Sequence, residues 1–183
     1  MFSSWQGWAP LGLFLALSCS LDYTTGLTSA VEGSVPTLLF VDIKQSSVKQ
    51  GAKIFSLEAK KAELYESLKT TRLFDFSFME YDKSGEFVTK GSAAWAEYNT
   101  ETQNAQITGK IQIQSLREKA KLLAENLVWI NENKQLKSEP DQRVTIEKEN
   151  SVISGEGFVV NFKTNTLEFT KTVEGSHIFK DEE

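Results

Sequence analysis

A single cysteine and a single histidine stand among 183 residues. Cys19 has no partner for an intrachain disulfide, and with His177 it cannot complete a structural zinc site of three or four nitrogen and sulfur ligands. A histidine-dependent triad has only His177 to draw on, just before the acidic tail Asp181, Glu182, Glu183. No metal and no cofactor is expected. Nor is there a basic excess: 20 Lys+Arg face 25 Asp+Glu, a net charge of −5, so nothing could track a phosphate backbone and nucleic-acid binding is disfavoured. A glycine-rich phosphate loop is missing too. Gly155-Glu156-Gly157 lacks the third glycine and the lysine of the nucleotide motifs, which leaves a strand bend or bulge as its role.

Long apolar runs are also absent. Ala9 to Ser18 reads APLGLFLALS, about half of the roughly twenty residues a spanning helix needs, but suited to the core of a secretory signal. Cys19 closes this run after the small residue Ser18, an arrangement that resembles the lipobox of bacterial lipoproteins, in which the cysteine carries a diacylglyceryl anchor. The fit is incomplete, because Ala16 stands where a leucine is usual and no Lys or Arg precedes Lys44. The alternative is a buried apolar segment with an ordinary thiol. The expected organisation is a lipoprotein-type signal over 1–18, a polar Ser/Thr/Gly spacer over 19–35, and one β domain over 36–180.

What the chain does have is alternation. In Leu73-Phe74-Asp75-Phe76-Ser77-Phe78-Met79 the three phenylalanines are expected on one face of a strand. Ile107, Ile111 and Ile113 share a face with Gly109, against Lys110, Gln112 and Gln114; Val144 and Ile146 form another row, as do Phe158, Val160 and Phe162. Asp82-Lys83-Ser84-Gly85, Asn99 to Thr102, Glu139-Pro140-Asp141 and Asn165-Thr166 punctuate the runs as turns, so eight to ten antiparallel strands fit between Thr37 and Phe179. Two segments dissent. Leu57 to Lys69 and Ser115 to Leu127 are rich in helix formers.

A weak repeat overrides that dissent. Tyr65, Tyr98, Trp129 and Phe162 recur at intervals of 33, 31 and 33 residues, each followed by a polar, turn-prone cluster, and three of them preceded by Ala-Glu pairs. A fixed period of about 32 residues implies stacked supersecondary units that cannot bury their apolar faces alone, so both segments are read as strands. Glu63, Glu97 and Glu125 recur with the repeat. As a row of like charges they would raise one another's pKa values, and as a solvated face they would only keep the sheet soluble.

Twelve Phe, four Trp and four Tyr give these strands large apolar rows. In a closed sandwich they would fill the core; in an open, folded-over sheet they would line a trough for acyl chains. A dozen buried methylenes would contribute on the order of 10 kcal/mol at ~0.8 kcal/mol each.

The ordered series Leu127-Val128-Trp129, Leu136-Lys137-Ser138, Val144-Thr145-Ile146 and Ile153-Ser154-Gly155-Glu156-Gly157-Phe158 resembles the LptC family, the periplasmic component of the lipopolysaccharide-export ABC transporter, and the related OstA-like domains. Leu57 to Tyr65, Tyr81 to Gly85, Ala93, Ala94, Tyr98 and Ile107 to Ile111 fit the same pattern, so the resemblance spans roughly 36–179. It implies an all-β fold: a twisted antiparallel sheet folded over into a boat or half jelly roll. It also implies a bridge component that receives lipopolysaccharide or a similar glycolipid from inner-membrane ABC transporter subunits. Such a component passes the lipid to a downstream periplasmic OstA-like protein by edge-to-edge strand pairing. No catalytic residue is then needed, because the transporter's ATPase drives the step. The inner rows (Phe74, Phe76, Phe78, Ile111, Ile113, Trp129, Val144, Ile146, Phe158, Val160 and Phe162) would hold the acyl chains, and Gly155 and Gly157 would bend the strands. Typical members keep an uncleaved membrane helix, whereas here Cys19 would anchor the chain by lipid, with the inner membrane inferred as its location. Two other readings compete: a lipoprotein scaffold with a closed core that binds another envelope protein, and a glycan-acting enzyme with two convergent acids such as Glu63 and Glu97.

Overall fold

The computed structural model describes residues 35–177, and no helix occurs among them. Twelve strands follow one another: β1 (Leu38–Lys49), β2 (Ala52–Tyr65), β3 (Thr70–Tyr81), β4 (Phe87–Asn99), β5 (Ala105–Ser115), β6 (Ala120–Ile130), β7 (Gln135–Lys137), β8 (Arg143–Lys148), β9 (Ser151–Glu156), β10 (Phe158–Asn161), β11 (Thr166–Phe169) and β12 (Val173–His177). They form one antiparallel sheet that does not close. β1 to β6 are a meander of long hairpins, and β6 is the fork: its Val128–Ile130 end pairs with β7, its Ala120–Leu123 end with β8. One branch continues β7-β10-β11 and the other β8-β9-β12.

The two helix-rich segments are strands. Leu57 to Tyr65 lies in β2 and Ala120 to Leu127 in β6, each between two hydrogen-bonded neighbours, so pairing on both edges overrides a propensity worth only tenths of a kcal/mol per residue. The excess over the expected eight to ten strands comes from the fork, where β7, β10, β11 and β12 are only three to five residues long. The repeat marks fall where even-numbered strands end. Tyr65 closes β2, Tyr98 and Trp129 stand one residue before the ends of β4 and β6, and Phe162 directly follows β10. In the meander the period of about 32 residues is thus two strands and two turns, whereas the last interval, from Trp129 to Phe162, spans the four short strands β7 to β10.

A crease runs across this meander. Pairing is interrupted at the same level in each neighbouring pair from β1 to β6, placing Asp42, Lys60, Asp75 and Ala94 side by side, then Gly109 and Lys110 opposite Glu125. Alternate strands turn there through the left-handed region: φ is 52° at Asp42, 47° at Asp75, 83° at Gly109 and 47° at Lys110. The two residues of β5 that oppose Glu125 make a bulge, and the Lys110 N–H donates to Glu125 Oε2 at 3.2 Å. The side-chain alternation shifts by one at the crease, on the strands that carry a left-handed residue there and on the even strands that do not. Inward positions are three apart across it: Ala59 and Ala62, Leu73 and Phe76, Ala93 and Ala96, Ala124 and Leu127.

The shift overturns one expectation. Leu73, not Phe74, joins Phe76 and Phe78 on the inner face, because left-handed Asp75 intervenes. Phe74 turns outward beside Lys61, whose ammonium stands 3.8 Å from the ring centroid.

Candidate lipid trough

The crease divides the inner face into two walls. The first carries, in register, the row Ala62, Leu73, Ala96, Ile107 and Leu127, continued by Trp129, Leu136 and Val160 nearer the rim. The second carries Ala59, Phe76, Ala93, Ile111 and Ala124, with Leu57, Phe78, Gly91, Ile113, Leu122 and Ile146 nearer the opposite rim. Residues of both walls belong to a single apolar cluster. Outside, the matching positions are polar except at Leu123: Ser77, Ser92, Gln112, Leu123, Thr145 and Ser154 succeed one another across the second wall.

Large and small side chains alternate across the floor. The even strands β2 and β4 supply alanines, the odd strands β3 and β5 supply Leu73, Phe76, Ile107 and Ile111. Gly91 is part of this arrangement, because the Phe78 ring lies over it and leaves no room for a Cβ. Phe78 in turn stacks on Phe55 at 6.1 Å. The interior becomes drier along the sheet. On β1 the inward Phe40 is 48% exposed, whereas Leu127, Val144 and Phe158 near the fork are 0% exposed.

Of the residues expected to line the trough, Phe76, Phe78, Ile111, Ile113, Trp129, Val144, Ile146, Phe158 and Val160 lie on the inner face. Phe74 does not. Phe162 lies at the rim, 61% exposed, with its ring edge-to-face on Trp129 at 5.8 Å. Gly157 has φ 67° and stands where the chain leaves β9 on the second wall for β10 on the first. Cys19 and the signal lie outside the described residues, as does the spacer up to residue 34. Sequence reasoning missed Leu57, Leu73, Leu127 and Phe169 and the alanine floor. The recurring three-residue step between inward positions was the signal that could have found Leu73, Leu127 and the alanines.

The outer face disposes of the carboxylate row. Glu63 accepts from Lys61 Nζ at 2.9 Å and from the Tyr65 hydroxyl at 3.0 Å, while Arg72 Nε donates to Glu97 Oε2 at 2.8 Å. The Lys61 hydrogen bond, ahead of any other cause, holds the Glu63 carboxyl below its ordinary range, opposite to the rise that mutual repulsion would give. Each glutamate has its own partner, and the three do not converge. No group of three or more metal-ligating side chains occurs among the described residues.

The chain matches a known family: residues 22–178 fit the model described as lipopolysaccharide-assembly, LptC-related. The chain belongs to that family. For an LptC-related chain, an open β sheet with an apolar interior is the fold expected from the sequence resemblance, and it is the fold observed. No curated protein matches in sequence. Among solved structures, the chain is similar to LptH of Pseudomonas aeruginosa, the LptA-homologous periplasmic component of the lipopolysaccharide transport device, at 12% identity over 77% of this chain and 86% of that one. At a TM-score of 0.28 the two superpose too loosely to carry a structural argument.

Proposed function

We propose that this LptC-related chain is a periplasmic bridge that receives lipopolysaccharide or a related glycolipid from an inner-membrane ABC transporter and passes it along its creased inner face. The observation that carries the reading is the pair of facing apolar walls on a sheet that stays open. Acyl chains can lie between the walls while sugars remain in water at the rims, and no bond is made or broken. The chain is then a carrier, not an enzyme. Membership of a lipopolysaccharide-assembly family supports the cargo and the compartment. A lipid on Cys19 is the proposed anchor, with the inner membrane as its site.

Handover by strand addition is part of the proposal, and the two ends of the sheet support it. β1 is a 12-residue edge strand with Leu38, Leu39, Phe40 and Val41 exposed, and it creases after its fourth residue, at Asp42. The far edge has the same plan: four residues of β11, a crossing at Thr170 to Thr172, then five residues of β12. One end of such a sheet can continue the other without a break in either wall. That makes the free edges docking strands for the transporter on one side and a downstream OstA-like protein on the other.

A photo-crosslinking residue at Phe76 in living cells tests this reading. An adduct with glycolipid that depends on ATP supply to the transporter is expected. Phe76→Asp should abolish lipid capture, whereas Ser77→Asp, one residue along on the outer face, should not. The drying of the interior toward Leu127, Val144 and Phe158 favours a second reading, a scaffold with a packed core. A protein adduct at Phe76, or none, in a folded variant would select the scaffold.

A further inference from the structure

The fork holds a feature that a uniform trough does not need. β9 and β11 belong to different branches and do not pair with one another, β9 being held by β8 and β12, and β11 by β10. Yet the Phe169 ring of β11 reaches from the first wall across to Gly155 of β9 on the second, and a Cβ on Gly155 would stand 2.6 Å from the ring. Phe169 also packs on Phe158, which is fully buried, with ring centroids 5.7 Å apart. The interior is therefore filled from wall to wall at this end. Beyond the ring, Val173 pairs with Gly155 in the row that begins at buried Val144, yet Val173 is 51% exposed.

We infer that Phe169 seated on Gly155 is a gate at the C-terminal mouth of the trough, which an acyl chain must displace to leave. The inference rests on the trough proposed above. Gly155 is needed because its missing side chain is the seat of the ring, and its backbone is not in the left-handed region, so conformational freedom does not explain the glycine. The element carrying the gate suits movement. β11 is four residues long and, among the described residues, hydrogen-bonded as a strand on one side only, the kind of short edge that opens at low cost compared with the meander. The segment that follows is tied down, with Thr170 N–H donating to Gly157 O at 3.1 Å and Lys171 N–H to Glu156 O at 3.3 Å, so displacement is confined to β11 and its ring.

The test places a photo-crosslinking residue either at Phe76, before the ring, or at Val173, beyond it, in the full chain incubated with purified lipopolysaccharide. With the native gate, adducts are expected at position 76 and few at position 173. Phe169→Ala removes the ring, and Gly155→Ala expels it by occupying its seat. Either change should raise the position 173 adduct by about tenfold, as for a gate open about a tenth of the time and then held open, with position 76 unchanged. Gly155→Ala keeps every aromatic side chain and carries the test if Phe169→Ala does not fold. Labelling at 173 that equals 76 in the native gate, or that neither variant moves, would overturn the gate and leave the trough standing. No lipid adduct at either position in any variant would remove the trough and the gate with it.

Discussion

Single residues set the shape of this sheet through their backbone conformation. Asp75 has φ 47° and is exposed, so its side chain matters less than its ability to occupy the left-handed region. Its ion pair to Lys60, at 3.5 Å with both side chains more than half exposed, adds little. Asp75→Val should cost about 1–2 kcal/mol in urea unfolding, since a β-branched residue resists that region, whereas Asp75→Gly should be close to neutral. Gly157 makes a sharper case. A methyl there would meet the Thr170 hydroxyl as well as a φ of 67°, while Gly51, φ 81°, faces open space. Gly157→Ala should therefore destabilise more than Gly51→Ala, by an amount beyond the ~1–2 kcal/mol of backbone strain common to both. Glu63 sets a pH dependence. Its folded pKa is lowered, so its contribution is complete above the ordinary carboxylate value of about 4.3 and is lost as pH falls through the lower folded value. Urea midpoints measured from pH 6 downward should drop in that acid window, and Glu63→Gln should flatten the drop.

At the scale of the element, the strands are read through their pairings. β2 and β6 have compositions that would suit helices, and only their neighbours on both sides make them strands. The three-residue step between Ala59 and Ala62, or Ala124 and Leu127, is poor strand periodicity and looks helical in one dimension; in the sheet it marks the crease. The alternating rows were legible wherever a strand stays on one side of that crease, as in Phe76 and Phe78 or Val144 and Ile146. They failed at Phe74, where the strand crosses it. Leu127 sits at the floor of β6 with no exposed surface, so Leu127→Ala should cost about 2–5 kcal/mol. Phe162 stands exposed at the rim, and Phe162→Ala should cost no more than the ~0.5–1.5 kcal/mol of its pairing with Trp129. Thermal unfolding of the two variants side by side checks both figures.

The molecule as a whole is a sheet with two unlike ends. β1 offers one continuous edge, apolar where Leu38 to Val41 stand exposed, and the far end offers two short edges on separate branches. A long apolar edge left bare invites pairing with any strand that can reach it. Val41→Lys places a charge on that edge without touching the floor, so it should weaken co-purification of transporter subunits and reduce self-association, with the melting midpoint unchanged. A midpoint that moves with the docking loss would assign Val41 to the fold instead of the edge.

The amino-acid sequence by itself determined the β class, the hairpin period of the meander, the polar and apolar faces of most strands, and the family. All of these are written in residue types and short spacings, which survive without knowledge of neighbours. Only the tertiary structure decided where the sheet creases, how it forks at β6, and that the ring of Phe169 closes on Gly155. The physical reason is distance along the chain. A left-handed aspartate, an alanine on the next strand and a glycine on the other branch gain meaning only when pairing aligns them, and no local propensity records that alignment.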